Sequence, residues 1–457
     1  MSDARNVVIV GAGIVGFNLA QELSQEGHDI AIIDRDKKKI KLISEKLDAL
    51  AIHGNACLPS VLMKARIKQA DIVIAVTEKD EVNLMVCFLS HKFNVPQRLA
   101  RLRHMEFTNE SRIFTPEELY VDQAINPGEI IIDSITKIIK TPGANNVADF
   151  GNGEILLRGF DVPENAPLAG KTLEEITAVA EFNCFQIVAI VHEGEMILPV
   201  PSDMINVGDK IFILVDKEML PLVLPMLNRQ VDEIQKVVIF SANRLAIQLA
   251  EALEKFIPDV SLIEPDLDMA NTAADRLSKA VVLHGSGTDP DLLNDINIQE
   301  ADLFLSLSSD DEDNILAALL AKRHGAKRNV VLTQDPDYLP ILDSIGMDIT
   351  INPRLITVSA LLKHLRRGQV SSVYKLIEGE AEVIEIIPTE ESSVLGKKTS
   401  KLKLPDHARL GAILRDGEMV VPNGATTIEK GDTVIVITLP DSIEKIEKIF
   451  AKRTFFT

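Results

Sequence analysis

The sequence predicts an α/β chain of two tandem doubly wound parallel-sheet lobes, each followed by a small α+β lobe. Three observations carry that expectation. The chain repeats itself at a shift of 230 residues, where NVVIVGAGIVGFNLAQEL at 6–23 lies against KVVIFSANRLAIQLAEAL at 236–253 with 7 of 18 positions identical. Within the first copy, β-branched runs alternate with amphipathic segments as far as residue 125, the pattern of stacked βαβ units. From residue 150 the segments shorten into strands separated by turn signals, the pattern of a smaller strand-rich lobe.

Taken in order, residues 1–126 form the first parallel-sheet lobe, with strands expected at Val7–Val10, Ile30–Ile33 and Ile72–Val76. Residues 127–149 are a connecting helix and linker, since Pro127 suits a first helical turn and apolar residues recur at helical spacing to Lys140. Residues 150–230 are the first small lobe, with strands Gln186–Val191, Met196–Leu198 and Lys210–Val215 around the turn at His192–Glu195. Residues 233–352 repeat the parallel-sheet lobe: Ile33-Asp34 meets Ile263-Glu264, His53-Gly54 meets His284-Gly285, and Thr77-x-x-Asp80-x-x-Asn83 meets Ser308-x-x-Asp311-x-x-Asn314. Residues 353–371 hold the second connecting helix, Pro353–Arg367, and 372–457 the second small lobe. The apolar stripes on the two connecting helices fit either packing within the chain or contact between subunits.

Composition narrows the function. Lys+Arg 48 against Asp+Glu 68 leaves a net charge of −20, which repels phosphate backbones and argues against nucleic acid as a partner. Cys57, Cys87 and Cys184 stand far apart with no CxxC pair, so neither a disulfide framework nor a clustered zinc site is expected. MSDARNVVIVGAG lacks the apolar stretch of a secretion signal, and runs such as Ile315–Ala321 are too short to span a bilayer. The expectation is a cytosolic chain, or one peripheral to a membrane through a partner.

The glycines of GAGIVG carry the chemistry. Gly11 permits the tight turn after the first strand, Gly13 lets the backbone approach a pyrophosphate, and Gly16 lets the following helix, from Phe17 to Gln25, sit close on the sheet. The N–H groups of that helix then favour phosphate oxygens. Asp34 ends the second strand, where its carboxylate can accept from both ribose hydroxyls of an adenosine. The context makes the lobe Rossmann-like. In the second copy Ser241, Asn243 and Ala246 replace the glycines while Glu264 keeps the acid, which leaves an empty scaffold or an adenosine-only site. Asp80 reads as the cap of the helix that follows, with Thr77 as a ligand contact, and His53 and His284 as structural turn residues in preference to metal ligands. RLARLR at 98–103 reads as a fifth strand whose guanidinium groups suit di- or triphosphates, or else form a solvated edge or an ion pair. Lys37–Lys39 reads as a solvated helix start.

Tandem lobes carrying GAGIVG, Asp34, HGNA, AVTEKDEVN from Ala75 to Asn83 and FNVPQRLARLR resemble the regulator-of-potassium-conductance family, in its branch of nucleotide-binding subunits of Trk potassium uptake systems. TINPRLITVSALLKHLRRG and the terminal Phe455-Phe456 add to the likeness. The resemblance implies a gating subunit that is not an enzyme. It would assemble as a homo-oligomeric, tetrameric ring on the cytoplasmic face of the plasma membrane, beneath a membrane potassium transporter or channel subunit. It implies NAD+ or NADH as ligand, with ATP or ADP as further candidates. Carried onto this chain, it places Gly11, Gly13, Gly16 and Asp34 on the dinucleotide, Asn55, Ala56 and Thr77 near base and ribose, and Arg98 and Arg101 on phosphates. Glu264 is the corresponding adenosine contact of the second lobe. No catalytic residue and no metal ligand is expected. The competing reading, an NAD-dependent oxidoreductase, needs a general acid or base beside the nicotinamide, and no Lys, His or carboxylate constellation stands out after residue 150. A redox sensor acting on another protein would share the nucleotide site.

Overall fold

The computed structural model describes residues 4–104, 118–141, 143–179, 185–229, 234–365, 370–376 and 381–450. Cys184 and Phe455-Phe456 lie outside the described residues. Two compact units emerge, Met1–Ile131 with Asn352–Leu365, and Ile132–Ile351 with Arg366–Thr457.

In the first unit the chain runs β1 (Asn6–Val10), α1 (Ile14–Gln25), β2 (Asp29–Asp34), α2 (Lys37–Lys46), β3 (Leu50–His53), α3 (Pro59–Lys64), β4 (Ile72–Ala75), α4 (Asp80–Lys92), β5 (Gln97–Arg101) and β6 (Gln123–Ile125). Helix α5 (Pro127–Lys140) follows. The strands form one parallel sheet in the order β3-β2-β1-β4-β5-β6, so the order reverses between β1 and β4. Such a reversal opens a crevice at the carboxyl ends of the two strands, where open α/β sheets take ligands. Helices cover both faces, which is why Val7 to Val10 are all buried: Val7 and Ile9 meet Leu19 and Leu23 of α1, while Val8 and Val10 meet Leu62 of α3 and Val86 of α4.

The same face of this sheet holds a helix from the far half of the sequence. Val358, Leu361 and Leu362, on the helix Pro353–Leu365 numbered α13 below, are buried with Leu19 and Leu23 of α1. At about 2 kcal/mol for each buried aliphatic side chain, that stripe holds the helix firmly on the lobe. For this connecting helix, packing within the chain is the outcome.

The second unit continues with β7 (Asn146–Phe150), β8 (Ile155–Asp161), α6 (Leu173–Val179), β9 (Phe185–His192), β10 (Glu195–Ile197), β11 (Lys210–Asp216) and α7 (Leu220–Val223). Next come β12 (Lys236–Phe240), α8 (Arg244–Leu253), β13 (Asp259–Glu264), α9 (Leu267–Arg276), β14 (Val281–His284), α10 (Pro290–Asp295), β15 (Leu303–Ser306), α11 (Asp311–Arg323), β16 (Asn329–Leu332), α12 (Leu339–Ser344) and β17 (Ile349–Ile351), after which α13 belongs to the first unit. The chain closes with β18 (Val370–Leu376), β19 (Ala381–Ile386), β20 (Ala408–Arg415), β21 (Glu418–Val420), β22 (Thr433–Thr438) and α14 (Ile443–Phe450).

Duplication is visible in the strand orders. The parallel sheet β14-β13-β12-β15-β16-β17 repeats the first lobe strand for strand, and the antiparallel sheets β10-β9-β11-β8-β7 and β21-β20-β22-β19-β18 repeat each other. The two small sheets share a core of Phe150, Leu157, Phe212 and Leu214 from one and Val383 and Ile435 from the other. Gly411 permits their close approach, because a Cβ there would stand 2.5 Å from Leu214 Cδ1.

Candidate functional site

The glycine loop joins β1 to α1 at the reversal point of the first sheet. Gly11 has φ +109°, and a Cβ on it would stand 3.0 Å from Thr77 N at the end of β4. Gly16 lies inside α1, where a Cβ would come within 1.8 Å of Gly11 O. Both glycines are therefore required by the protein's own packing. Gly13 differs. Its φ is −71°, and nothing in the chain stands within 4 Å of the place its Cβ would occupy. It is the N-cap of α1, which starts at Ile14, earlier than the periodicity indicates, and no side chain caps it. The helix start thus has no side-chain cap and no acidic residue in the first turn, an arrangement suited to an anion.

Asp34 closes the other side of the crevice. Its carboxylate accepts from Ala12 N at 2.6 Å and from Asp36 N at 2.7 Å, which binds the acid to the glycine loop and leaves each oxygen a further lone pair. His53 donates from Nε2 to Arg35 O, fixing the loop after β2, and His284 does the same to Pro265 O in the second lobe. Both histidines are the last residues of strands, β3 and β14, and act as structural ties to the neighbouring loop. Asn55 accepts from Arg35 Nη2 at 2.6 Å and from Cys57 N at 3.1 Å, while Ala56 is buried in the core beneath.

Thr77 belongs to a bracket that the motif spacing alone does not disclose. Its N and Oγ1 donate to Asn83 Oδ1, and Asn83 Nδ2 donates to Thr77 O and to Arg101 O, so one carboxamide ties the ends of β4 and β5 together. Ser308 and Asn314 repeat the bracket with Leu332 O. The capping role expected of Asp80 is corrected here. Asp80 is itself the first residue of α4, and its buried carboxylate accepts from Arg103 N, His104 N and His104 Nδ1, holding the chain as it leaves β5. Asp311 does likewise for Gln334 N and Asp335 N, while the neighbouring Asp310 caps α11.

The two candidate arginines separate. Arg98, early in β5, spends Nη2 on Asp122, Nε on Tyr120 O and Nη1 on Val95 O, so each guanidinium nitrogen is committed to the fold. Arg101 ends β5 at the crevice. It is 8% exposed, Nη2 donates to Thr77 O at 3.2 Å, and its buried Nε has no partner among the described residues. Burial, with like charge from Arg103 and Arg354, pushes its pKa down to about 10.

The second crevice is built on the same frame and filled from within. Ser241 takes φ +110°, matching Gly11, and Glu264 accepts from Ala242 N and Asp266 N as Asp34 does. Asn243, in the place of Gly13, accepts from Ala246 N at 3.0 Å and donates from Nδ2 to Leu307 O at 2.6 Å. Its carboxamide caps α8 and bridges to the end of β15, across the space that stays open beside Gly13. Among the described residues no group of three or more His, Cys, Asp or Glu is placed to hold a metal ion. No described helix is long and apolar enough to cross a membrane.

This geometry has relatives. Residues 7–127 and 237–353 match the TrkA-N domain, and residues 157–228 and 383–451 match the TrkA-C domain. The chain belongs to the TrkA family. The Trk system potassium uptake protein TrkA of Haemophilus influenzae is 36% identical over 98% of this chain and 99% of its own length. TrkA of Halomonas elongata is 32% identical over 98% of this chain and 100% of its own. Among solved structures, the GsuK RCK domain aligns with TM-score 0.62 and 17% identity, covering 98% of this chain and 96% of that one. The GsuK channel bound to NAD aligns with TM-score 0.62 and 16% identity over 98% and 80%. At such identity these structures share the fold of the TrkA-family chain: parallel-sheet lobes alternating with antiparallel ones.

Proposed function

We propose that this chain is a nucleotide-responsive regulatory subunit of a Trk-type potassium uptake system and performs no chemistry on its ligand. NAD+ or NADH, or an adenine nucleotide, occupies the first crevice. Gly13 and the open N-terminus of α1 take the phosphates, Asp34 takes the ribose hydroxyls, Asn55, Ala56 and Thr77 border the base and ribose, and Arg101 faces the phosphate chain. The observation that carries this reading is the unfilled cradle beside Gly13, set against the same position in the second lobe, which Asn243 fills. Membership of the TrkA family supports the potassium-uptake partner, and the GsuK structures bound to NAD and to ADP support the ligand class. Arg98 acts as a strut behind the site, and Glu264 belongs to a second lobe that serves as scaffold.

The chain would act on the inner face of the membrane as a ring of identical subunits beneath a membrane potassium transporter. A ligand moves such a ring only by binding one arrangement better than another. A coupling of roughly 1–3 kcal/mol changes affinity about 5- to 150-fold, enough for regulation without turnover. Potassium flux into vesicles holding the membrane subunit and this chain tests the proposal. Flux is expected to respond to NADH or ATP and to lose that response in Asp34→Ala; flux unchanged at saturating nucleotide contradicts it.

A further inference from the structure

The two small lobes share a backbone frame and differ on one surface of it. In the first, Gly170 N donates to Ile205 O, Ile205 N to Lys171 O, Leu173 N to Asp203 O and Glu174 N to Pro201 O, with Thr172 bridged to Met204. In the second, Gly396 N donates to Ile428 O, Ile428 N to Lys397 O, Thr399 N to Thr426 O and Ser400 N to Gly424 O, with Lys398 bridged to Thr427. The two ladders match bond for bond, and Ile205 and Ile428 are both fully buried at their centre. Each position on one frame therefore has its equivalent on the other.

The outward side chains on these frames are opposite in character. The first lobe presents Val200, Met204 and Val207, which are 41%, 51% and 53% exposed, with the exposed Glu174 and Glu175 beside them. Glu175 spends one oxygen on Thr172 N, and Glu174 has no side-chain partner among the described residues. At the equivalent places the second lobe carries Asn423, Thr427 and Lys430 for the apolar three, and Lys401 for Glu175. Lys397, Lys398, Lys401 and Lys403 are all exposed and have no side-chain partner among the described residues, while Lys430 pairs with Glu390 at 2.6 Å. The fold does not require the exposed aliphatic surface, since the second copy builds the same frame without it; such a surface with a polar rim marks a contact site.

Charge complementarity names what covers it. On a chain of net charge −20, the second small lobe offers a lysine face on matching backbone. Lysine stems lay their methylenes along aliphatic surface while their ammonium groups reach acids at its rim. An anionic bilayer would engage the lysines alone and leave the acid-rimmed apolar face bare. Because the two faces belong to different lobes, a contact between copies is heterologous, the kind that closes into a ring.

We propose that the apolar, acid-rimmed face of the first small lobe docks on the lysine face of the second small lobe of a neighbouring copy of this chain. The contact rests on the reading of the protein as a ring of identical subunits, and names one surface that joins them.

Full chains of light and heavy nitrogen composition, mixed until native mass spectra show mixed oligomers and then treated with a carbodiimide that joins ammonium to carboxylate, test it without any variant. Links between 171–177 and 397–403 should join light chains to heavy ones. Sedimentation should show self-association at least about ten-fold weaker in Glu174→Lys/Glu175→Lys and in Lys398→Glu/Lys401→Glu, with recovery to within about three-fold when one chain carries all four changes. Lys at 175 and Glu at 401 are the residues the other copy holds at those places, so the frame accepts both. The absence of such links, links confined to chains of one composition, or unchanged association in both reversals overturns the contact and leaves the ring to other surfaces. Binding to phosphatidylglycerol vesicles that Lys398→Glu/Lys401→Glu abolishes, without mixed links, would give the lysine face to a membrane and also overturn the contact. A wild type that stays monomeric at every concentration overturns contact and ring together.

Discussion

Asn243 occupies the position in the second lobe that Gly13 holds in the first, and its carboxamide closes the space that Gly13 leaves open. The two lobes share strand order, bracket and acid, so this exchange separates a crevice left open beside its glycine from one that caps itself. Asn243→Gly should therefore open the second crevice. The variant loses a cap and a hydrogen bond to Leu307 O, a destabilisation of about 1 kcal/mol readable as a lower urea midpoint. Calorimetry should then show nucleotide binding that survives Asp34→Ala. No binding in the doubly substituted but folded chain would mean that Ser241, Arg244 or Ala246 also excludes the ligand.

Thiol chemistry distinguishes the crevice from the core. Cys87 is buried in α4, and burial pushes its pKa up to about 12, so it should stay unmodified in the native chain. Cys57 is partly exposed, and its amide donates to Asn55 Oδ1 beside the crevice. Alkylation followed peptide by peptide should mark Cys57 well before Cys87, and saturating NADH should slow the labelling of Cys57. Equal rates with and without NADH would move the adenosine away from Asn55.

The small lobes differ at one matched ion pair. Buried Asp209 is paired with His192 at 2.6 Å, and its counterpart Asp432 with Arg415 at 2.8 Å. The Asp209 hydrogen bond and charge raise the His192 pKa above its ordinary 6.5. A group whose pKa is raised by folding contributes stability that is complete below the unfolded value and is lost as pH rises through the folded one. The denaturation midpoint should thus decline as pH rises from 6.5 through the folded pKa of His192. The decline should be shallower in His192→Arg, which makes the pair permanent as in the second copy. An identical slope in both proteins would remove the pair from the pH dependence.

Much of the site could be read from the residues because it depends on local geometry. A strand, three glycines, a helix and an acid at the next strand end specify a turn and its dipole without reference to the rest of the chain. What escaped depends on partners distant in sequence. Asp80 has the spacing of a cap, yet its carboxylate is claimed by the chain leaving β5, and only the packed sheet brings His104 to it. Arg98 and Arg101 look equivalent in RLARLR, but Asp122 and Tyr120 O capture one and leave the other at the crevice. Asn83 reads as one polar position in an amphipathic helix until the ends of β4 and β5 meet around it. The exchange of Gly13 for Asn243 was visible; that the side chain would fill the vacated space was not.

The most direct test of a ligand-sensing first crevice is NADH binding to the full chain and to Gly13→Val, with NADH absorbance followed in the same samples. A valine there meets no atom of the chain within 4 Å at its Cβ, so folding should be preserved while the pyrophosphate is shut out. The expected result is saturable binding to the wild type, loss of that binding in a folded Gly13→Val, and constant absorbance throughout. Undiminished binding to Gly13→Val, or steady consumption of NADH by the wild type, would contradict it.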